Sequence, residues 1–140
     1  MDQRVKEAII QAVASEPFAR TLKMELVSLE YGHSVVEMTY DPAVANNIYE
    51  RAHGGVIYSL IDEAFQAAAQ TCGTVAVALN VNVTYVTSPD PHIRLRAEAH
   101  EVSQTKKTAS YDIKVTDQEH QVIATCQALA YRTGKPIPFL

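Results

Sequence analysis

The sequence predicts an α+β domain in which a curved antiparallel sheet of about six strands wraps around one long central helix. Three observations carry this. Residues 53–71 repeat apolar side chains at helical spacing, the chain from Val75 onward alternates with a period of two, and short turns separate the later strands. A helix with a continuous apolar stripe must bury it against another layer, and here the sheet is that layer.

Asp2 to Ser15 reads as a short amphipathic helix, capped by Asp2, with Val5, Ala8, Ile9 and Ala12 three and four residues apart. Pro17 breaks it. Thr21 to Glu30 and Ser34 to Tyr40 form a predicted hairpin across Tyr31-Gly32-His33. Asp41 to Ala52 has no period and carries Pro42 and Asn46-Asn47, so it is expected to be an irregular loop. His53 to Thr71 is the central helix. Its stripe is Val56, Ile57, Leu60, Ile61, Ala64, Phe65 and Ala68, and Gly73 ends it. Val75, Val77, Leu79, Val81, Val83 and Tyr85 then alternate with small or polar residues, as one strand does. Ser88-Pro89-Asp90-Pro91 is a turn. Strands follow at Ile93 to His100 and Ala109 to Thr116, separated by Ser103 to Lys107. After a turn at Asp117 to His120, Val122 to Tyr131 is apolar on both faces and is expected to be central. Thr133 to Leu140 reads as a tail.

The 140 residues form one domain, 1–140, and 47% hydrophobic content supports a core without metal or disulfide staples. A net charge of −4 argues against nucleic acid as a partner. Cys72 and Cys126 form no CxxC motif and read as reduced thiols of a cytoplasmic protein. The first residues lack the apolar centre of a secretory signal, and no apolar run reaches the roughly 20 residues that cross a bilayer.

The chemistry is expected at the start of the central helix. Gly54 and Gly55 follow His53, and the first N–H groups of a helix lack intrahelical acceptors. With no side chain in the way, and with the positive end of the helix dipole behind them, such groups can hold a developing oxyanion. On the glycines alone, a tight turn into the helix is the commoner explanation, and His53 alone most often satisfies nearby backbone groups. Asp62 falls at the edge of the apolar stripe, where a carboxylate is costly unless bonded or useful. Glu63 is expected to point further out, as a solvated or interface charge. Gly54 and Asp62 lie about 12 Å apart along the helix. Both an oxyanion donor and a general base must approach the reacting atoms to about 3 Å, so one copy of the helix does not serve one carbonyl. The expected site lies between subunits of a homo-oligomer. Ser59 has no nucleophile-elbow pattern, and His33, His92, His100 and His120 show no metal-ligand spacing, so no metal is expected.

The spacing Asn47-x5-His53-Gly54-Gly55-x6-Asp62, followed by Glu63-Ala64-Phe65 and by Asn80-Val81-Asn82-Val83-Thr84-Tyr85, resembles the hotdog-fold thioesterases, closest to their PaaI-like (phenylacetic acid degradation) group. The resemblance runs from about Val5 to Arg132 and implies hydrolysis of an acyl-coenzyme A. It gives Asp62 the part of nucleophile or general base and the Gly54 N–H of the neighbouring subunit that of carbonyl polariser. Asn47 and His53 would position the carbonyl, the water or the loop. It implies dimers or tetramers and no cofactor, since coenzyme A belongs to the substrate. Gly55, Tyr58, Phe65 and Asn80 are candidate substrate contacts, Ser88 a candidate edge of the coenzyme groove, and Lys106 and Lys107 candidate phosphate ligands. Some relatives carry a Ser or Thr after the helix that assists the acid, where this chain has Ala78. A non-hydrolytic acyl-CoA or lipid-binding module is the alternative reading.

Overall fold

Asp2 accepts the N–H of Arg4 at 2.8 Å and so starts the first helix, α1 (Gln3–Ser15), which buries Val5, Ile9 and Val13 on one side. The computed structural model describes all 140 residues. Pro17 ends α1 but also opens a short helix, α2 (Pro17–Thr21), because its fixed φ suits the first helical position. The first strand, β1 (Glu25–Glu30), therefore begins later than Thr21, after Lys23 turns the chain at φ 54°. It pairs with β2 (His33–Thr39) as expected. The expected irregular loop contains one helical turn, α3 (Pro42–Ala45), capped by Asp41. The central helix is α4 (Gly54–Ala69). A 3-10 turn at Gln70–Cys72 follows, and Gly73 in the left-handed region ends it at φ 79°.

Four long strands follow: β3 (Thr74–Tyr85), β4 (Arg94–Gln104), β5 (Thr108–Asp117) and β6 (Val122–Pro136). β6 runs past Tyr131 into the expected tail, because Thr74 at the start of β3 pairs with Pro136. The sheet has six strands in the order β1-β2-β4-β5-β6-β3, every pair antiparallel. The short link after β3 is thus a crossover and not a hairpin turn. His92 donates to the Tyr40 carbonyl and Tyr40 to that of Ile93, each at 2.9 Å, which docks the link beside the end of β2. β3 is left to pair with β6, and β6 is internal, as its apolar pattern predicts.

The single alternation expected along β3 is interrupted. Ala78 pairs with Ala130 and Asn80 with Leu129, so Leu79 is an extra residue. One inserted residue reverses the faces of everything after it. Ala76 and Ala78 face inward before the bulge, and Val81, Val83 and Tyr85 after it.

The core forms where α4 lies in the concave sheet. Ile57, Leu60, Ile61, Ala64, Phe65 and Ala68 pack with Val36, Met38, Leu95, Ala97, Ala99, Ile113, Val115 and Ala128. The many alanines allow helix and sheet backbones to approach closely, and the Ser34 hydroxyl donates to the Ala64 carbonyl at 2.6 Å across that contact. Phe65 meets Tyr111 edge-on at 5.2 Å. Tyr111 donates to Glu101 at 2.9 Å, and Arg132 pairs with the same carboxylate at 2.7 Å. A smaller cluster of Val5, Ile9, Val13, Leu29, Ala67 and Ile137 fastens α1 over the C-terminal half of α4. No helix is long and apolar enough to cross a membrane.

Leu60 is fully enclosed at the helix–sheet contact. Leu60→Ala is expected to lower unfolding stability by about 2–5 kcal/mol, read as a lower urea midpoint.

Candidate active site

The site begins with a loop that its own side chains hold in shape. Asn47 Oδ1 accepts the N–H of Tyr49 at 2.9 Å and of Arg51 at 3.1 Å, and Glu50 turns the chain at φ 58°. Asn46 and Ala52 bridge the base of this loop, and His53 N–H donates to the Ala45 carbonyl at 2.7 Å. The tip points Ile48 and Tyr49 into solvent, 88% and 76% exposed. Asn47 therefore shapes the loop that carries the chain into α4.

His53 is the N-cap of α4, and its Nδ1 accepts the Gly55 N–H at 2.9 Å. The ring nitrogen that accepts is unprotonated, which puts the proton of a neutral imidazole on Nε2. With Gly55 engaged, the Gly54 N–H is left without an acceptor in the chain. The Tyr85 hydroxyl donates to the Gly54 carbonyl at 3.0 Å, and a Cβ on Gly54 would stand 3.2 Å from Tyr85 Cζ. Glycine lets the Tyr85 ring lie against the helix start. Ser59 donates to the Gly55 carbonyl at 2.6 Å, so its hydroxyl is engaged in the helix backbone.

Gly55, Tyr58, Asp62 and Gln66 form the uncovered stripe of α4, three and four residues apart, opposite the face buried in the sheet. Asp62 opens onto a cavity of about 240 Å³ lined by Phe65, Gln66, Gln70, Ala76, Ala78 and Ala130 among others. Ala78, where some relatives place a hydroxyl, thus lies beside Asp62 and offers it no hydrogen bond. Loss of hydration and, secondarily, the negative charge of Glu16 push the Asp62 carboxyl above its ordinary range. A more basic carboxylate is a better proton acceptor.

Two acids near Asp62 depart from the expectation. Glu63 is buried at 3% exposure rather than solvated. Burial raises its pKa to about 7, with smaller contributions from Glu16 and Asp62. The cause is α1, whose end reaches over α4 and brings Glu16 to this face. Gln66 Nε2 donates to Glu16 at 2.7 Å and to Glu63 at 3.4 Å. Glu16 carries no signal in the sequence, because it meets Asp62 only through the docking of α1.

The remaining candidates are dispersed. Tyr58 is on the Asp62 stripe, and Phe65 combines a core position with the cavity wall. Asn80 is on the outer face of the sheet, opposite Leu129 and away from Asp62. Ser88 is exposed on the crossover, and Lys106 and Lys107 on the turn between β4 and β5. Within one chain, Asn47, His53 and Gly54 come together at the start of α4, while Asp62 stands two turns further along.

The raised pKa of Glu63 has a signed consequence for stability. The folded chain binds its proton more tightly than the unfolded chain, so stability falls as pH rises from 4.5 toward about 7. Glu63→Gln is expected to flatten that decline in urea unfolding at a series of pH values, by an amount on the order of 3 kcal/mol.

The sequence and fold match known proteins. Residues 49–124 match the family model of the thioesterase superfamily. A putative esterase of Archaeoglobus fulgidus is 31% identical over 140 residues, 99% of this chain and 87% of that protein. The acyl-coenzyme A thioesterase PaaI of Escherichia coli K12 is 30% identical over 119 residues, 85% of this chain and 84% of that one. The solved structure of E. coli PaaI, from the phenylacetic acid degradation operon, superposes with a TM-score of 0.90 at 27% identity and covers 96% of both chains. A Streptococcus mutans protein solved with bound acetyl CoA gives a TM-score of 0.77 at 29% identity, covering 81% of this chain and 91% of that one. The helix in its curved sheet, the Asn-His-Gly-Gly entry and these matches place the chain in the thioesterase superfamily, as a PaaI-like member with the hotdog fold.

Proposed function

We propose that this thioesterase hydrolyses an acyl-CoA to the free acid and coenzyme A, using Asp62 of one subunit and the Gly54 N–H of another. The observation that carries this reading is the division of α4. Its unpaired N–H and its activated carboxylate lie on one rigid helix, separated by about 12 Å. A second α4 running the other way brings the N-terminus of each helix to the Asp62 of its partner. The thioester carbonyl then sits on Gly54 N–H, and Asp62 either deprotonates water for attack or attacks the carbonyl itself. Collapse of the tetrahedral intermediate expels the coenzyme A thiolate, which takes up a proton; the first route gives the free acid directly, and the second gives an Asp62 acyl anhydride that water then hydrolyses to the free acid.

The exposed edge of the sheet supports the dimer. β3 is twelve residues long, lies at the end of the sheet and exposes Val77, Leu79 and Tyr85. Long apolar edges are usually covered, and antiparallel pairing of β3 with a second β3 would extend the sheet across two chains. The acyl-coenzyme A named for the E. coli relative and the acetyl CoA bound in the S. mutans structure support the substrate class. Asn47 and His53 act here by fixing the loop and the Gly54 N–H. Two free cysteines support a reducing compartment, the cytoplasm.

Thiol release from an acyl-CoA panel tests the reaction. Asp62→Asn is expected to lower kcat by roughly 10²–10⁴-fold with the oligomer intact. Wild-type rates in that variant sink the assignment, and ligand binding without any thiol release favours the non-hydrolytic alternative. Gly54→Pro removes the N–H, at the cost of crowding the Tyr85 ring, and is also expected to be inactive, with circular dichroism verifying that the variant folds. Mixing the two inactive variants, then dissociating and reassociating them, is expected to recover activity that neither parent has. No recovery from folded mixed dimers argues against a shared site.

A further inference from the structure

A hollow of about 490 Å³ is on the outer face of the sheet and not near Asp62. Its lining is polar and includes Glu98, His100, Asp112, Lys114, Thr125 and Gln127. At its margin the register of β2 and β4 sets His33 directly opposite His100, and Glu98 projects from the same side two residues before His100. We propose that His33, Glu98 and His100 form a surface site for a divalent transition metal of the Zn²⁺ class.

The geometry is that of ligands converging on one point. Glu98 Oε1 is 2.8 Å from His33 Nε2 and 3.3 Å from His100 Nε2, and all three ligand atoms lie within 4.8 Å of one another. Ligands about 2.0–2.2 Å from a tetrahedral zinc stand about 3.3 Å apart; the Glu98–His100 separation matches that, and the hydrogen-bonded Glu98–His33 pair must open by about half an ångström to admit the ion. The two imidazoles stack at 4.4 Å between centroids. Two imidazoles and a carboxylate favour zinc, nickel or copper over magnesium. The side chains are 25%, 37% and 59% exposed for His33, Glu98 and His100, so an ion reaches them from solvent and a fourth position stays open. The sequence reading expected no metal, because His33 and His100 lie far apart in the chain and only strand register joins them.

The test uses full-length protein stripped with chelator, titrated with ZnCl₂ by calorimetry and with CoCl₂ by visible absorption. One Zn²⁺ per chain is expected, with intense Co²⁺ bands of tetrahedral nitrogen and oxygen ligation and no uptake of Mg²⁺. His33→Ala, His100→Ala and Glu98→Gln are each expected to weaken binding by at least about tenfold. His92→Ala and His120→Ala, on separate turns, should bind as the parent does, and circular dichroism verifies that every variant folds. Thioesterase activity is expected to survive in the site variants, which keeps this outcome separate from the assignment of Asp62. Absence of Zn²⁺ binding in the parent, or undiminished binding in the His33 and His100 variants, overturns the proposal.

Discussion

The helix–sheet contact of α4 is the constraint on which the rest of the molecule depends. The helix commits Ile57, Leu60, Ile61, Ala64, Phe65 and Ala68 to the concave face of the sheet, and alanines on both sides bring the two backbones together. That leaves only one sector of the helix uncovered, and it holds Gly55, Tyr58, Asp62 and Gln66. The rigid rod also fixes the distance between its N-terminus and Asp62. No loop movement within one chain shortens that separation, which is why the proposed chemistry requires a second copy.

Electrostatics at Asp62 follow from the same packing. The end of α1 adds Glu16 to a surface that already holds Asp62 and Glu63, and the Gln66 amide lies between two of these acids. Asp62 and Glu63 both resist ionisation, first through lost hydration and then through neighbouring negative charge. Glu63, the most enclosed of them, titrates at about 7. When it is neutral, Asp62 faces one like charge fewer. Stability is lost at this face as the pH rises, while a basic carboxylate is held where the proposed reaction needs one.

The sheet separates two chemistries by register. Inward positions of β2, β4, β5 and β6 are mostly small or aliphatic, with Tyr111 an aromatic among them, whereas their outward neighbours carry Glu37, Arg94, Arg96, Glu98, Lys114 and paired histidines. The bulge at Leu79 keeps this division along β3. Without it, Val81 and Val83 would face outward and Asn80 and Asn82 would point into the core.

The sequence by itself determined the periodic elements. The stripe from Val56 to Ala68 and the strands from Val75 onward are legible because apolar side chains sample one face of one element, and the internal place of β6 because its apolar residues occupy both faces. The Asn47, His53, Gly54 and Asp62 spacing was legible too, since it is linear. Other features needed tertiary structure: the crossover that separates β3 from β4, the bulge at Leu79, the burial of Glu63 beneath Glu16, and the meeting of His33 with His100. Each depends on which segments dock and in what register. Those choices are set by packing between residues distant in the chain, and local periodicity carries no record of them.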